Sequence, residues 1–313
     1  MNLKDAYLRA AVENKEQLEE CLKSKVTDLI YIDSCSFEPE EYASITEKVH
    51  AEGRLCGLRM PYIWRTQAEE YFDRYRTQTA TAGFDVFLFR NTESIYYFEE
   101  NGLLEGVPYI TDHSIYVFNS EADRLLAELL PDEMAAAGGA DVSTASDSGD
   151  IIEDNSIGNA VHRAVRREVQ REVYREVHRA GITLPLELNL NELKELKAGK
   201  PRELVVYGRA PMMVSDQCVK KTTGGCDHRN STVFLKDRKG ALMPVQSRCR
   251  FCFNIILNSV PTVLFDLDRE LTLIAPDSIR YEFTVEDGRT VSEILSGEYA
   301  ADSFTRGHLK RGV

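Results

Sequence analysis

Short apolar runs alternate with charged, amphipathic stretches along most of the chain. Runs rich in Val, Ile, Leu, Phe and Tyr predict eight β-strands, at residues 6–11, 28–33, 54–60, 84–90, 107–112, 182–188, 203–208 and 278–284. Between the early runs, the spacing of apolar residues predicts helices at 14–24, 38–52 and 65–82. Strands that alternate with helices in this way are typical of parallel β-α units.

The number of strands favours one α/β architecture. Eight candidate strands in about 280 residues fit a TIM-like (β/α)8 barrel. An open, doubly wound sheet is the alternative, but no GxGxxG sequence follows the first strand. We therefore predict a barrel in two parts, residues 1–131 and 181–290, with a C-terminal tail at 291–313.

Residues 132–180 break the alternation. The segment 132–157 is rich in Gly, Ser, Ala and Asp, which predicts an acidic linker. The segment 159–179 carries Val at every fourth position among Arg and Glu, which predicts a charged helix with a narrow apolar stripe. We expect a helical insertion after strand five that packs along the barrel. A dimer contact and a local contact with an RNA backbone are the alternatives.

Composition and charge exclude some functions. The chain has 313 residues, of which 43% are hydrophobic, so it contains enough apolar surface for a core. Its net charge of −13 argues against broad, nonspecific binding of nucleic acid. We find no run of about 18 apolar residues, so no membrane span is expected. The charged N-terminal sequence has no apolar signal core, which predicts a cytoplasmic protein.

Four cysteines lie close together in the last third of the chain. Cys218 and Cys226 have seven residues between them, and Cys249 and Cys252 form a C-x2-C pair. Four soft ligands within about 35 positions indicate a metal site, since a metal or cluster needs several such ligands at one point. An iron–sulfur cluster and a structural zinc ion both fit this pattern.

Polar residues stand at or near the carboxyl ends of the predicted strands, where the functional groups of parallel barrels gather. They include Asp33, Arg59, Arg90, Asp112, Glu187, Asn189, Tyr207, Arg209, Arg280 and Glu282. Arginines at strand ends suggest an anionic ligand, because a guanidinium group pairs with carboxylate or phosphate. The alternative is that these charges pair with one another and close the top of the barrel. The chain contains no GxSxG, HExxH or Walker motif.

Three stretches resemble a known family. The sequences are LPLELNLNELKELKAGKPRELVVYGRAPMMVSDQC, LKDRKGALMPVQSRCRFCFNIILNSVP and SIRYEFTVEDG. Together they are similar to the collagenase-like peptidases, peptidase family U32. The resemblance covers residues 180–285 and extends, less closely, to residues 1–125.

This resemblance implies a TIM-like barrel. Some members of the family are described as peptidases, and others take part in the hydroxylation of RNA or of quinones and hold a 4Fe–4S cluster on four cysteines. Cys218 and Cys226 match the first two cysteines of that motif, and Cys249 and Cys252 match a variant with a close-set last pair. The better-studied hydroxylation members differ, since their later cysteines are more widely spaced. Many relatives contain two such modules, so a second module is an expected partner.

The residues and the resemblance together predict an enzyme with a 4Fe–4S cluster that hydroxylates or otherwise modifies RNA or a small aromatic substrate. We predict catalytic roles for Glu187, Tyr207, Arg209 and Asp112, and substrate-binding roles for Arg59, Arg90, Asn189 and Arg280. Two alternatives remain open at this point. One is an atypical peptidase, for which no catalytic dyad is recognisable. The other is a noncatalytic binding module that is stapled by zinc.

Overall fold

Eight parallel strands form a closed barrel. The computed structural model of the protein describes residues 6–129, 181–196, 200–300 and 302–310. The barrel strands are β1 (Tyr7–Val12), β2 (Leu29–Asp33), β3 (Leu55–Arg59), β4 (Val86–Phe89), β5 (Tyr109–Thr111), β6 (Gly181–Thr183), β7 (Arg202–Gly208) and β13 (Ser278–Glu282). Each strand pairs in parallel with the next, and β13 closes the ring by pairing with both β7 and β1.

Helices connect most of the barrel strands. The described α-helices are α1 (Lys15–Ser24), α2 (Tyr42–Ala51), α3 (Thr66–Arg74), α4 (Arg76–Thr81), α5 (Thr92–Glu100), α6 (Ser120–Leu129), α7 (Leu190–Glu195), α8 (Val219–Thr222), α9 (Asp268–Ile274) and α10 (Gly288–Ser296). Short 3₁₀ turns lie at Pro39–Glu41 and His113–Ile115. Among the described helices, none has the length and apolar character needed to cross a membrane.

Side chains of each strand alternate between the barrel interior and the layer of helices. On β2, Ile30 and Ile32 belong to the large core cluster with Val49 of α2, whereas Leu29 and Tyr31 belong to a separate cluster inside the barrel. All five residues of β2 are buried, because both faces of the strand are covered. This explains why the strands of the sequence are nearly continuous apolar runs.

A glycine makes room for a large aromatic side chain inside the barrel. A Cβ atom on Gly57 of β3 would lie 2.6 Å from Cδ1 of the Tyr31 ring and 2.9 Å from Cγ1 of Val86. Tyr31 is completely buried. The glycine therefore allows the Tyr31 ring to occupy space that any other residue at position 57 would fill.

A small antiparallel sheet follows the seventh barrel strand. Its strands are β8 (Pro211–Ser215), β9 (Ser231–Lys236), β10 (Leu242–Arg248) and β11 (Phe253–Leu257), in the spatial order β8-β11-β10-β9. We refer to residues 211–257 as the cysteine lobe, since they include the four clustered cysteines. After the lobe, the short strand β12 (Thr262–Val263) pairs antiparallel with β7 and leads back to the barrel.

The predicted fold class is confirmed, and the cysteine-rich segment does follow strand seven. Each of the eight predicted strands corresponds to a barrel strand, although β6 is shorter than the predicted 182–188 and ends at Thr183, before Pro185. The helix predicted at 65–82 is divided into α3 and α4 at Tyr75. The linker at 132–157 and the helix at 159–179 lie outside the described residues.

Candidate functional site

A network of charged side chains lies inside the barrel and extends to its mouth. Five buried arginines meet five buried carboxylates there: Arg9, Arg59, Arg90, Arg248 and Arg280 face Glu13, Asp33, Asp112, Glu203 and Glu282. Arg248 comes from β10 of the cysteine lobe, and the other residues lie on or directly after barrel strands. Equal numbers of opposite charges make this arrangement tolerable in a place that excludes water.

Arg59 shows how completely the network uses its guanidinium groups. Its Nε donates to Oδ2 of Asp33 at 2.9 Å, and its Nη2 lies 3.1 Å from Oε1 of Glu13. Its Nη1 donates to Glu282, and none of the side chain is exposed. Its place at a strand end predicts a substrate-binding role for Arg59. In the described structure its donors are directed at neighbouring carboxylates.

Arg280 is paired in the same manner. Its Nη2 donates to Oδ1 of Asp112 at 2.6 Å, and its Nη1 donates to Oε1 of Glu203 at 2.6 Å. Asp112 accepts a further hydrogen bond of 3.1 Å from Nε of Arg90. Arg280, predicted to bind substrate, and Asp112, predicted to be catalytic, are therefore paired with each other in the buried interior.

The arginines keep the carboxylates of the network ionised. Burial by itself raises the pKa of Asp112, but the charge of Arg280, followed by those of His113 and Arg90, lowers it further, so that the pKa lies well below its usual range. The same balance between burial and the charges of Arg59, Arg248 and Arg90 holds the pKa of Asp33 well below its usual range. These two acids are thus poor proton donors at neutral pH.

A cavity lies between the barrel mouth and the cysteine lobe. It encloses about 490 Å³ of empty space, counting the part that is open to solvent. We refer to it as the mouth cavity. Residues on or after the barrel strands supply its charged and aromatic groups, which are Glu13, Tyr62, Arg90, His113, Arg209 and Glu282. Apolar walls are provided by Leu186, Val205, Ile255 and Leu257.

Arg209 lines the mouth cavity just after β7 and is the cation there with the fewest carboxylate contacts. Its Nη1 donates to the carbonyl oxygens of Asn258 (3.1 Å) and Ser259. Its Nε is buried without a hydrogen-bond partner, and it lies 3.8 Å from Oε1 of Glu286. An anionic group of a ligand could therefore pair with Arg209 without displacing an existing short ion pair.

His113, Tyr62 and Arg90 form a second group on the cavity wall. Nε2 of His113 lies 3.5 Å from the hydroxyl oxygen of Tyr62, and the guanidinium carbon of Arg90 lies 4.0 Å from the centre of the Tyr62 ring. Burial lowers the pKa of His113, although Asp112 opposes this effect. Burial raises the pKa of Tyr62. At neutral pH the site thus presents a neutral imidazole beside a protonated phenol.

Three other predicted residues lie away from the cavity wall. Tyr207 is buried among aromatic side chains, and its hydroxyl donates to Oε1 of Glu286 at 3.2 Å. Asn189 caps α7, where its side chain accepts hydrogen bonds from the backbone of Asn191 and Glu192. Glu187 follows the cavity residue Leu186 and has one buried carboxylate oxygen without a hydrogen-bond partner. Their functional roles stay predictions.

Strand pairing brings the four clustered cysteines to one end of the cysteine lobe. Ser215 of β8 pairs with Asn254 of β11, Ser231 of β9 pairs with Ser247 of β10, and Arg248 pairs with Phe253. Cys218 follows the end of β8, and Cys226 precedes the start of β9. Cys249 and Cys252 occupy the turn between β10 and β11. The register of an antiparallel sheet places these connections at the same end of the strands.

The turn 249–252, which we refer to as the cysteine turn, is bound to the barrel. Nη1 of Arg250 donates to the carbonyl oxygens of Ser34 and Phe37, each at 2.6 Å, and its guanidinium group lies over the ring of Tyr71. Asn230 makes a second bridge, because it accepts a hydrogen bond from the backbone NH of Cys249 and donates one to the carbonyl of Cys35.

Two of the clustered thiols act on the pKa of a third. Burial raises the pKa of Cys249, Lys220 lowers it, and the thiols of Cys218 and Cys226 raise it further. The Cys249 thiol donates to the carbonyl of Arg229 at 3.0 Å, and all four cysteines are free thiols. In the described ranges, no three His, Cys, Asp or Glu side chains already form a metal-binding arrangement.

Sequence reasoning missed four residues of the mouth cavity. Glu13 directly follows β1, so the strand-end rule would have found it if it had been applied to the first strand. His113 directly follows the predicted catalytic residue Asp112 after β5, so the same rule applies to it. Tyr62 lies in the loop after β3, and Gln246 lies inside β10 of the lobe. Neither carries a sequence signal, because only the docking of the lobe brings them to the cavity.

Comparisons with known proteins give no family. No family model and no curated protein matches the chain. Among solved structures, dihydropteroate synthase from Thermus thermophilus is similar with a TM-score of 0.37 and 12% identity, over 95% of this chain and 94% of that one. The spore cortex-lytic enzyme SleL of Bacillus cereus has a TM-score of 0.39 and 8% identity, over 96% and 75% of the two chains.

A third solved structure is a D-psicose 3-epimerase in the presence of D-fructose. It has a TM-score of 0.36 and 8% identity, over 93% of this chain and 89% of that one. With all three TM-scores below 0.5, the barrel assignment for this protein stands on its own strand pairing.

Proposed function

We propose that this protein is a barrel enzyme related to the U32 family, that its cysteine lobe holds a 4Fe–4S cluster, and that it hydroxylates a small aromatic substrate in the mouth cavity. The observation that carries the proposal is that one end of the cysteine lobe, which forms part of the cavity wall, contains Cys218, Cys226, Cys249 and Cys252. Redox chemistry at the lobe would therefore take place beside a ligand site.

The donor set fits the proposed cluster chemically. Four free thiols on two connections of one small sheet match the ligand requirement of a 4Fe–4S cluster, which is held by cysteine thiolates. When bound, such a cluster supplies one-electron transfer. The cysteine turn is fixed to the barrel by Arg250, which would keep the ligands at a constant position relative to the cavity.

The walls of the cavity favour a small aromatic substrate over RNA. Apolar side chains and the ring of Tyr62 offer contacts to a planar ring, and Arg209 offers a partner for an anionic substituent. The Arg90 guanidinium group is stacked on the Tyr62 ring and would hold it in place.

Metal content tests the proposal. Protein purified without oxygen should contain about four irons and four sulfides per chain and show visible absorption. Cys218→Ser and Cys249→Ser should each lose most of the iron, whereas Cys21→Ala, which removes a buried thiol of α1, should retain it. A colourless protein with one zinc ion that the same two substitutions remove would instead identify a structural zinc site and overturn the redox proposal.

A further inference from the structure

We propose that His113 is the proton acceptor of the mouth cavity, that it removes the proton of a phenolic hydroxyl group on the substrate, and that Tyr62 donates a hydrogen bond to the oxygen that becomes charged. The inference deepens the proposed function and rests on it for the presence of an aromatic substrate in this cavity. It does not depend on the cluster.

Geometry gives the two side chains complementary roles. Both line the cavity, and Nε2 of His113 lies 3.5 Å from the Tyr62 hydroxyl oxygen. A neutral imidazole nitrogen accepts a proton, and a phenol donates a hydrogen bond. A substrate oxygen within hydrogen-bond distance of both groups would therefore meet one acceptor and one donor, which is the pair of functions that ionisation of a hydroxyl group requires.

The charged groups around His113 suit a base that gains a proton. Burial, Arg280 and Arg90 favour the neutral imidazole in the free protein, whereas Asp112 and Glu282 favour the imidazolium. Oδ1 of Asp112 lies 4.0 Å from Nε2 of His113. Once the proton has moved, the imidazolium and the new oxyanion neutralise each other, and Asp112 adds to the stabilisation of the cation.

The step is balanced without an oxidant or a further reactant. The O–H bond of the substrate breaks, its proton forms an N–H bond at Nε2 of His113, and the electron pair remains on the substrate oxygen. That oxygen then accepts the hydrogen bond of Tyr62. Arg90, stacked on the Tyr62 ring, fixes the direction of this donor and adds a positive charge near the oxyanion.

The test uses 4-nitrophenol, whose phenol and phenolate forms differ in colour, as a probe with the full-length protein. In the wild-type protein, bound 4-nitrophenol should ionise about 1 to 3 pH units below the free compound, because a base and a hydrogen-bond donor act on its hydroxyl group. His113→Gln replaces the imidazole with an amide of similar size that cannot take up the proton. Tyr62→Phe keeps the ring on Arg90 and removes the donor.

Each of these two variants should bind the probe and shift its ionisation midpoint back toward that of the free compound by about one pH unit or more. His308→Gln, which changes an exposed histidine, should behave as the wild type. Thermal unfolding of every variant separates an effect on the cavity from a loss of folded protein. Absence of probe binding by the wild type, or midpoints that neither substitution moves, would overturn the proposal.

The probe titration and the iron content together distinguish failure of this inference from failure of the proposed function. Protein that contains no iron but shows the two midpoint shifts would retain His113 as a base and remove the redox assignment. Protein that contains the cluster and shows no such shifts would retain the redox assignment and reject His113.

Discussion

Single residues decide what the inside of this barrel can contain. Tyr31, a large polar side chain, is completely buried because Gly57 leaves room for its ring, and its hydroxyl oxygen accepts a hydrogen bond of 3.3 Å from Arg9. Arg9 in turn is 3.2 Å from Glu203. The buried ion-pair network therefore includes the hydroxyl group of Tyr31, whose ring depends on the missing Cβ atom of Gly57.

Gly57→Ala should destabilise the protein by about 1 to 3 kcal/mol, because the new methyl group overlaps the Tyr31 ring in a packed interior. Urea unfolding measures the change. Gly225→Ala provides the matched control, since a Cβ atom there meets no neighbouring atom within 4 Å. Equal stabilities of the two variants would show that the interior can rearrange around Tyr31.

At the scale of elements, the position of the cysteine turn depends on contacts with residues far away in the sequence. Arg250 holds this turn to the segment after β2 through two backbone carbonyls and the carboxylate of Glu38, from which it is separated by 2.5 Å. It also contacts the ring of Tyr71 on α3. Within the lobe, Cys252 adopts a left-handed backbone conformation with φ of 57°. Cys249 and Cys252 thus share the tight turn between β10 and β11, and Arg250 fixes the position of this turn.

Arg250→Ala should increase the rate of amide hydrogen exchange in residues 249–252 and 34–37 by roughly a hundredfold, because it removes two charged hydrogen bonds that contribute about 1.5 kcal/mol each. Mass spectrometry of the peptic peptides measures this rate. Arg238→Ala, in the exposed turn between β9 and β10, should leave exchange at both segments unchanged. Unchanged exchange in the Arg250 variant would mean that the other lobe contacts suffice.

At the scale of the whole molecule, the buried network links folding to pH. The pKa values of Asp33, Asp112 and Glu282 all lie below their ordinary values, since the arginines outweigh the effect of burial. The unfolded chain binds protons at these carboxylates more readily than the folded chain does. Their contribution to stability is therefore fully present above the unfolded pKa of about 4 and is lost as the pH falls toward the folded values.

The free energy of unfolding should accordingly decrease as the pH falls below about 4, and urea titrations between about pH 6 and pH 3 measure the decrease. Asp112→Asn removes one of these carboxylates, so its unfolding free energy should start lower at neutral pH and decrease less steeply in acid. A slope in the variant equal to that of the wild type would show that Asp112 does not contribute to the acid dependence.

Sequence periodicity determined the fold, because the spacing of apolar side chains follows directly from burial on both faces of a parallel strand. All eight barrel strands and the position of the cysteine segment after strand seven were predicted from it. The strand-end rule likewise found Arg90 and Arg209, which line the mouth cavity. The roles of the four cysteines rest on spacing and resemblance, and they stay predictions.

Tertiary structure decided which polar residues are available to a ligand. Arg59 and Arg280 belong to predicted strands just as Arg90 does, yet both pair with carboxylates of other strands and do not line the mouth cavity. Tyr62 and Gln246 reach the cavity from a loop and from the lobe. Such choices depend on contacts between residues far apart in the chain, so a local pattern contains no information about them.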